Sequence, residues 1–311
     1  MKHLLKLADL DKGDILDILN LADQLKYENQ HGIEHHHLKG KTLGMIFQKS
    51  STRTRVSFET GMYQLGGQAL FLSNRDLQIG RGEPVQDTAR VLSRYLDGIM
   101  IRTFAQKEVE DLAEYGSIPI INGLTDYCHP CQVLADLMTI REYKKSFDGL
   151  KFCFIGDGNN MANSLIVGGL KVGMNVAVAT PDGYKPDGAV LEFTKGCGDK
   201  FALETDPFMA ASGADILITD TWTSMGEEAE KEERKKIFKD YQIPRCIDTS
   251  MRTISLIKRS AKACTPFCIV DTDTAVERHP VINRCIVALA GQVVGSPKDR
   301  LCFLVKQAIK S

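Results

Sequence analysis

Apolar residues change period along this chain. Short unbroken runs bounded by glycine or polar residues alternate with stretches where they recur every three or four positions. The runs Thr42–Phe47, Gln68–Leu72, Gly98–Phe104, Ile118–Gly123, Leu150–Ile155, Asn175–Ala179 and Ala214–Thr219 read as buried strands. Helical spacing occupies residues 4–27, with Asp11 as a cap, and then Val56 to Leu65, closed by Gly66-Gly67. It returns from Val85 to Leu96 and from Pro130, suited to a first helical position, through Tyr143. Residues 227–239 are so densely charged that they read as a solvated helix. Strand followed by helix, repeated, predicts an α/β protein with parallel sheets.

At 311 residues the chain is long for one core, so two domains of about 150 residues are expected. The polar stretch Lys144–Gly149 supplies the boundary, giving domains 1–147 and 148–311. A 43% hydrophobic and 25% charged composition is that of a soluble globular protein. A net charge of −1 offers no field for nucleic acid or an anionic membrane, so an anionic ligand must be met by local arginines. No apolar stretch approaches the roughly 20 residues of a membrane span, and the acidic residues from Asp9 onward exclude a visible signal peptide. Nine cysteines at irregular spacing fit reduced thiols in a cytoplasm.

The densest chemistry lies between the first strand and the next helix, in Lys49-Ser50-Ser51-Thr52-Arg53-Thr54-Arg55. The first N–H groups of a helix lack partners within it, and the dipole favours an anion there. Hydroxyls on Ser51, Thr52 and Thr54, with fork-shaped donors on Arg53 and Arg55, make this a phosphate cradle. Arg102 ends a strand on the edge where open α/β sheets bind ligands, although a surface ion pair would equally place an arginine there. Residues 73–84, with Gln78 and three glycines or prolines nearby, read as a flap beside the anion. His129 stands at a helix start with Gln132 one turn on, as catalyst or as cap. Cys128-x-x-Cys131 has no second ligand pair at zinc spacing. His35-His36-His37 has no completing ligand nearby in sequence and reads as a polar loop. Gly156-Asp157-Gly158-Asn159-Asn160-Met161 has the look of a doubly wound domain's first turn, but its spacing argues against a dinucleotide. Its asparagines either cap a helix or bind a small polar ligand. Asp220 lies at another strand's carboxyl end.

Four motifs in order, Ser51-Thr52-Arg53-Thr54-Arg55, His129-Pro130-x-Gln132, Gly156-Asp157-Gly158-Asn159-Asn160 and Asp220-x-x-x-Ser224-Met225-Gly226, resemble those of the ornithine carbamoyltransferases over residues 1–243. The last motif belongs to the ornithine branch and argues against the aspartate enzyme. The resemblance implies two doubly wound parallel-sheet domains, one for carbamoyl phosphate and one for ornithine, assembled as a cytoplasmic homotrimer. It implies carbamoyl transfer from carbamoyl phosphate to the δ-amine of L-ornithine, with neither metal nor organic cofactor. By matching position, Ser51, Thr52, Arg53 and Thr54 hold the phosphate, and Gln78 reaches across a subunit interface. Arg102, His129 and Gln132 hold the carbamoyl group, and Asn160, Asp220, Ser224 and Met225 bind ornithine. Arg53, Arg102 and His129 carry the catalysis.

Residues 244–311 depart from this pattern. The family's His-Cys-Leu-Pro loop and a late arginine are both absent. The codons of Pro266-Phe267-Cys268-Ile269-Val270, read from each third base, permit Phe-Leu-His-Cys, which suggests a tail translated in a shifted frame. The competing expectation is an impaired paralogue that binds carbamoyl phosphate or assembles with an intact subunit.

Overall fold

The computed structural model describes residues 2–223, 228–242 and 254–255. Two compact units divide them, the first covering residues 2–138 and the second beginning at Thr139.

In the first unit, helix α1 (Lys12–Gln30) opens with a reciprocal cap, because Asp14 N donates to Asp11 and Asp11 N donates to Asp14. Strand β1 (Thr42–Phe47) follows, buried at every position after the first. Helix α2 (Thr52–Gln64) buries Thr54, Ser57, Phe58, Gly61 and Met62, the three-and-four spacing of a single face. Each large apolar side chain on that face contributes about 1.5–3 kcal/mol. Gly66, at φ +80°, takes the left-handed turn that ends the segment. Strand β2 (Gln68–Ser73), helix α3 (Val85–Leu92), strand β3 (Gly98–Arg102), helix α4 (Gln106–Tyr115) and strand β4 (Ile120–Leu124) complete a parallel sheet of order β2-β1-β3-β4. Helix α3 stops four residues short of its expected end. The flap segment contains one helical turn, Gln78–Arg81. Helix α5 (Pro130–Lys144) runs across the division between units.

The second unit carries β5 (Lys151–Ile155), α6 (Asn160–Val172), β6 (Asn175–Ala179), α7 (Gly188–Lys195), β7 (Phe201–Glu204), α8 (Pro207–Ala211), β8 (Ile216–Ile218), α9 (Lys231–Ile237) and the two-residue strand β9 (Ile254–Ser255). Its sheet is also parallel, in the order β7-β6-β5-β8-β9. The order reverses around β5, so the turn after β5 lies where doubly wound sheets bind ligands. Helix α9 presents the expected solvated face, with Lys231, Glu232, Glu233, Lys235 and Lys236 exposed, while Arg234 is buried and Phe238 beyond the helix is fully enclosed. No helix among the described residues is long and apolar enough to cross a membrane.

Candidate active site

In the first unit the carboxyl ends of β1, β3 and β4 are tied to the starts of α2 and α5. Gln48 N and Lys49 N both donate to Arg102 O, at 2.9 and 3.4 Å. Thr103 N donates to Leu124 O at 3.0 Å, and Asp126 N to Phe104 O at 2.9 Å. The Lys49 ammonium, buried, pairs with Asp126 and stands 4.4 Å from the Phe104 ring centroid. This pair joins the segment before α2 to the segment before α5. The pairing itself was not legible in the sequence, because the partners are 77 positions apart.

Ser51 caps α2. Its Oγ accepts from Thr54 N at 3.2 Å and donates to Thr54 Oγ1 at 3.0 Å, fixing the first turn. Thr52 and Arg53 follow at its exposed start. Arg102 is only 6% exposed. Burial first, and then the charge of Arg53, pull its guanidinium down to about 10. It remains charged near neutral pH, and a bound anion would offset both costs.

Arg55 does not join this group. It lies two residues past Arg53, about 200° round the helix, where its Nε pairs with Glu59 at 3.0 Å. The guanidinium stacks 3.7 Å from the Phe71 ring centroid. Of the two arginines of α2 expected to form a cradle, Arg55 is thus engaged by Glu59 and Phe71, and Arg53 lies at the helix start within electrostatic reach of Arg102 from β3. Gln78 is exposed on its helical turn, and none of the bonds just described reaches it.

His129 and Gln132 are buried at the start of α5. Gln132 Nε2 donates to Asp136 Oδ1 at 2.9 Å, which turns the amide oxygen the other way. That Oε1 atom is buried without a hydrogen bond. Asp136, one helical turn from Gln132, is a positioning residue that the four-residue spacing could have revealed. Cys128 and Cys131 are free, and burial pushes both thiols up to about 12. Protonated and enclosed, they are inert packing residues.

In the second unit Asn159 caps α6, its Oδ1 accepting from Met161 N at 2.9 Å and Ala162 N at 3.4 Å. Asn160 is the next residue, half-buried. Gly158 must be glycine: a Cβ there would stand 2.3 Å from Lys185 C and 2.4 Å from Pro186 N. Asp157, buried in the same turn, accepts from Arg234 Nη1 at 2.7 Å. Arg234 Nη1 also donates to Trp222 O at 3.1 Å, so the turn after β5 is tied to the segment after β8. Asp220, half-buried, lies on that segment. Ser224 and Met225 lie outside the described residues, as does the tail from 244 apart from β9.

The comparisons agree across both units. The family model for the aspartate/ornithine carbamoyltransferase carbamoyl-P binding domain matches residues 2–142. The model for the corresponding Asp/Orn binding domain matches residues 148–255. The ornithine carbamoyltransferase of Carboxydothermus hydrogenoformans is 55% identical over 246 residues, covering 78% of this chain and 79% of its own. That of Thermococcus kodakarensis is 53% identical over 246 residues, with 78% of each chain covered. The solved ornithine carbamoyltransferase from Pyrococcus furiosus superposes with a TM-score of 0.81 at 43% identity, over 96% of this chain and 98% of that one. By sequence and by fold, this chain belongs to the aspartate/ornithine carbamoyltransferase family.

Proposed function

We propose that the chain transfers the carbamoyl group of carbamoyl phosphate to the δ-amine of L-ornithine, giving L-citrulline and phosphate. The observation that carries this reading is electrostatic. Arg53 and the buried Arg102 are held close enough for one charge to depress the other, beside the start of α2. An oxyanion bound there would offset the burial of Arg102 and the repulsion between the two guanidinium groups.

The neutral amine attacks the carbonyl carbon, forming the new C–N bond. Negative charge builds on the carbonyl oxygen and passes to phosphate as the C–O bond breaks, and the proton shed by the attacking nitrogen leaves on the departing phosphate. Arg102 and His129 are the proposed donors to the carbonyl oxygen. Arg53, with Ser51, Thr52, Thr54 and the N–H groups of the first turn, receives the departing phosphate. Gln132 Oε1, an acceptor aimed by Asp136, suits the amino end of the carbamoyl group. Asp220 takes the α-ammonium of ornithine by a charge-assisted hydrogen bond, with Asn160, Ser224 and Met225 as the remaining contacts. Gln78, exposed on its turn, is proposed to act from a neighbouring subunit of a cytoplasmic homotrimer. Ornithine rather than aspartate is supported by the motif beginning at Asp220. Relatives named for ornithine reach 55% identity; among solved structures, neighbours named for ornithine range from 27% to 43%, and one named as an aspartate transcarbamoylase catalytic subunit is 26% identical.

Citrulline formation by the purified chain tests the reaction, and calorimetry with carbamoyl phosphate tests the cradle. Arg53→Ala is expected to weaken binding roughly 10- to 150-fold, the equivalent of one charge-assisted hydrogen bond. Unchanged affinity would overturn the assignment of the phosphate to this helix start.

A further inference from the structure

One group of side chains outside the proposed active site also has unfinished chemistry. Glu28, in the last turn of α1, meets His35 and His37 of the loop leading to β1, with one donor atom from each lying within 4.8 Å of the others. Glu28 Oε2 is 3.3 Å from His35 Nε2 and 3.9 Å from His37 Nε2. His36 is engaged elsewhere, its Nε2 standing 3.0 Å from Glu34.

Two features separate this group from an ordinary ion pair. The 3.3 Å approach is too poorly aligned to be a hydrogen bond, since Glu28 Oε2 and both ring nitrogens of His35 are buried without one. Buried polar atoms are otherwise nearly always satisfied, and a missing cation is one of the few explanations. The other carboxylate oxygen is occupied: Glu28 Oε1 accepts from Gln24 Nε2 at 2.8 Å, which orients Oε2 toward the histidines. A hydrogen bond to the oxygen that does not face the ion is what holds a ligating carboxylate in place.

We propose that Glu28, His35 and His37 form a binding site for a divalent transition-metal ion of the zinc type. Two imidazoles and one carboxylate suit zinc and its neighbours, whereas calcium and magnesium prefer sets made of oxygen alone. Ligand bonds of 2.0–2.2 Å in a tetrahedron put neighbouring donor atoms about 3.4 Å apart. The Glu28–His35 pair already has that spacing, and a small rotation of His37, the most exposed of the three, closes the rest. The fourth position then faces solvent. The ion would staple the end of α1 to the loop that enters β1, a structural role separate from carbamoyl transfer.

The test uses the full chain, stripped with a chelator and titrated with zinc chloride. Calorimetry is expected to show one ion per chain and the melting temperature to rise, because the ion binds only the folded form. His35→Gln and Glu28→Gln should each weaken binding by about tenfold or more, and His36→Gln should leave it unchanged. X-ray absorption of the zinc-loaded wild type supplies a readout that needs no variant: a shell of nitrogen and oxygen with imidazole scattering is expected. No binding by the wild type, a sulfur-containing shell, or unaltered affinity in both variants would overturn the proposal.

Discussion

Replacing Arg234 by Met tests how the second unit holds the turn after β5. Arg234 and Asp157 each expose only 9% of their side chains, and their contact is 2.7 Å. The same guanidinium donates to Trp222 O at 3.1 Å and, through Nε, pairs with Glu230 at 3.0 Å. The Glu230 pair is largely solvated on the carboxylate side and contributes little. The loss comes from Asp157, whose carboxylate stays buried without its cation, and breaking such a pair costs about 3–5 kcal/mol. For a unit of this size that corresponds to a fall in melting temperature of roughly 6–20 °C. Scanning calorimetry measures it, and Asp157→Asn combined with Arg234→Met should recover more than half of the loss, because no charge is then stranded. A fall under about 2 °C in the single variant, or a double variant worse than either single, would refute the account of a desolvated pair.

Three further outcomes are expected. Arg55→Ala should leave carbamoyl-phosphate affinity within about twofold in calorimetry, since this side chain is spent on Glu59 and Phe71 rather than on the ligand, and an isolated exposed pair is worth under about 1 kcal/mol. His3 accepts from Ile120 N at 3.2 Å, and burial, aided by Lys2, lowers it to about 4 from an ordinary 6.5. A base depressed in the fold stabilises above its unfolded value, so stability should fall as pH drops from about 6.5 toward 4, and His3→Gln should flatten urea midpoints over that window. Resequencing codons 240–275 should reveal a second frame; a single intact frame removes that explanation of the tail.

Much of the first unit was legible because its signals are local. The Ser51 cap, the buried face of α2 and the strand ending at Arg102 are all set by neighbouring residues, and each formed where the pattern put it. Helix α4 was not visible. It begins without a side-chain cap, and between Gln106 and Tyr115 the buried positions are only Val109, Asp111 and Leu112, too few to mark a period. Strand β7 is half-buried throughout and gave no apolar run. The charged stretch around α9 is the solvated face its charge density predicts, apart from Arg234, whose burial was hidden because its partner Asp157 is 77 positions earlier. The same blindness to distance hid Lys49–Asp126. Glu28 escaped because α1 and a loop had to return it to the histidines. Arg55 was misassigned by counting residues rather than degrees around a helix.

The amide of Gln132 has a consequence for substrate choice. With one of its two amide hydrogens engaged by Asp136, the side chain keeps its buried oxygen open as an acceptor for an incoming molecule. On the proposed assignment, acetyl phosphate, nearly the same shape as carbamoyl phosphate, would press a methyl group against that buried oxygen and leave it stranded, a penalty of about 1–3 kcal/mol. Rejection of the acyl look-alike would then be written into α5 by one carboxylate that never touches the substrate.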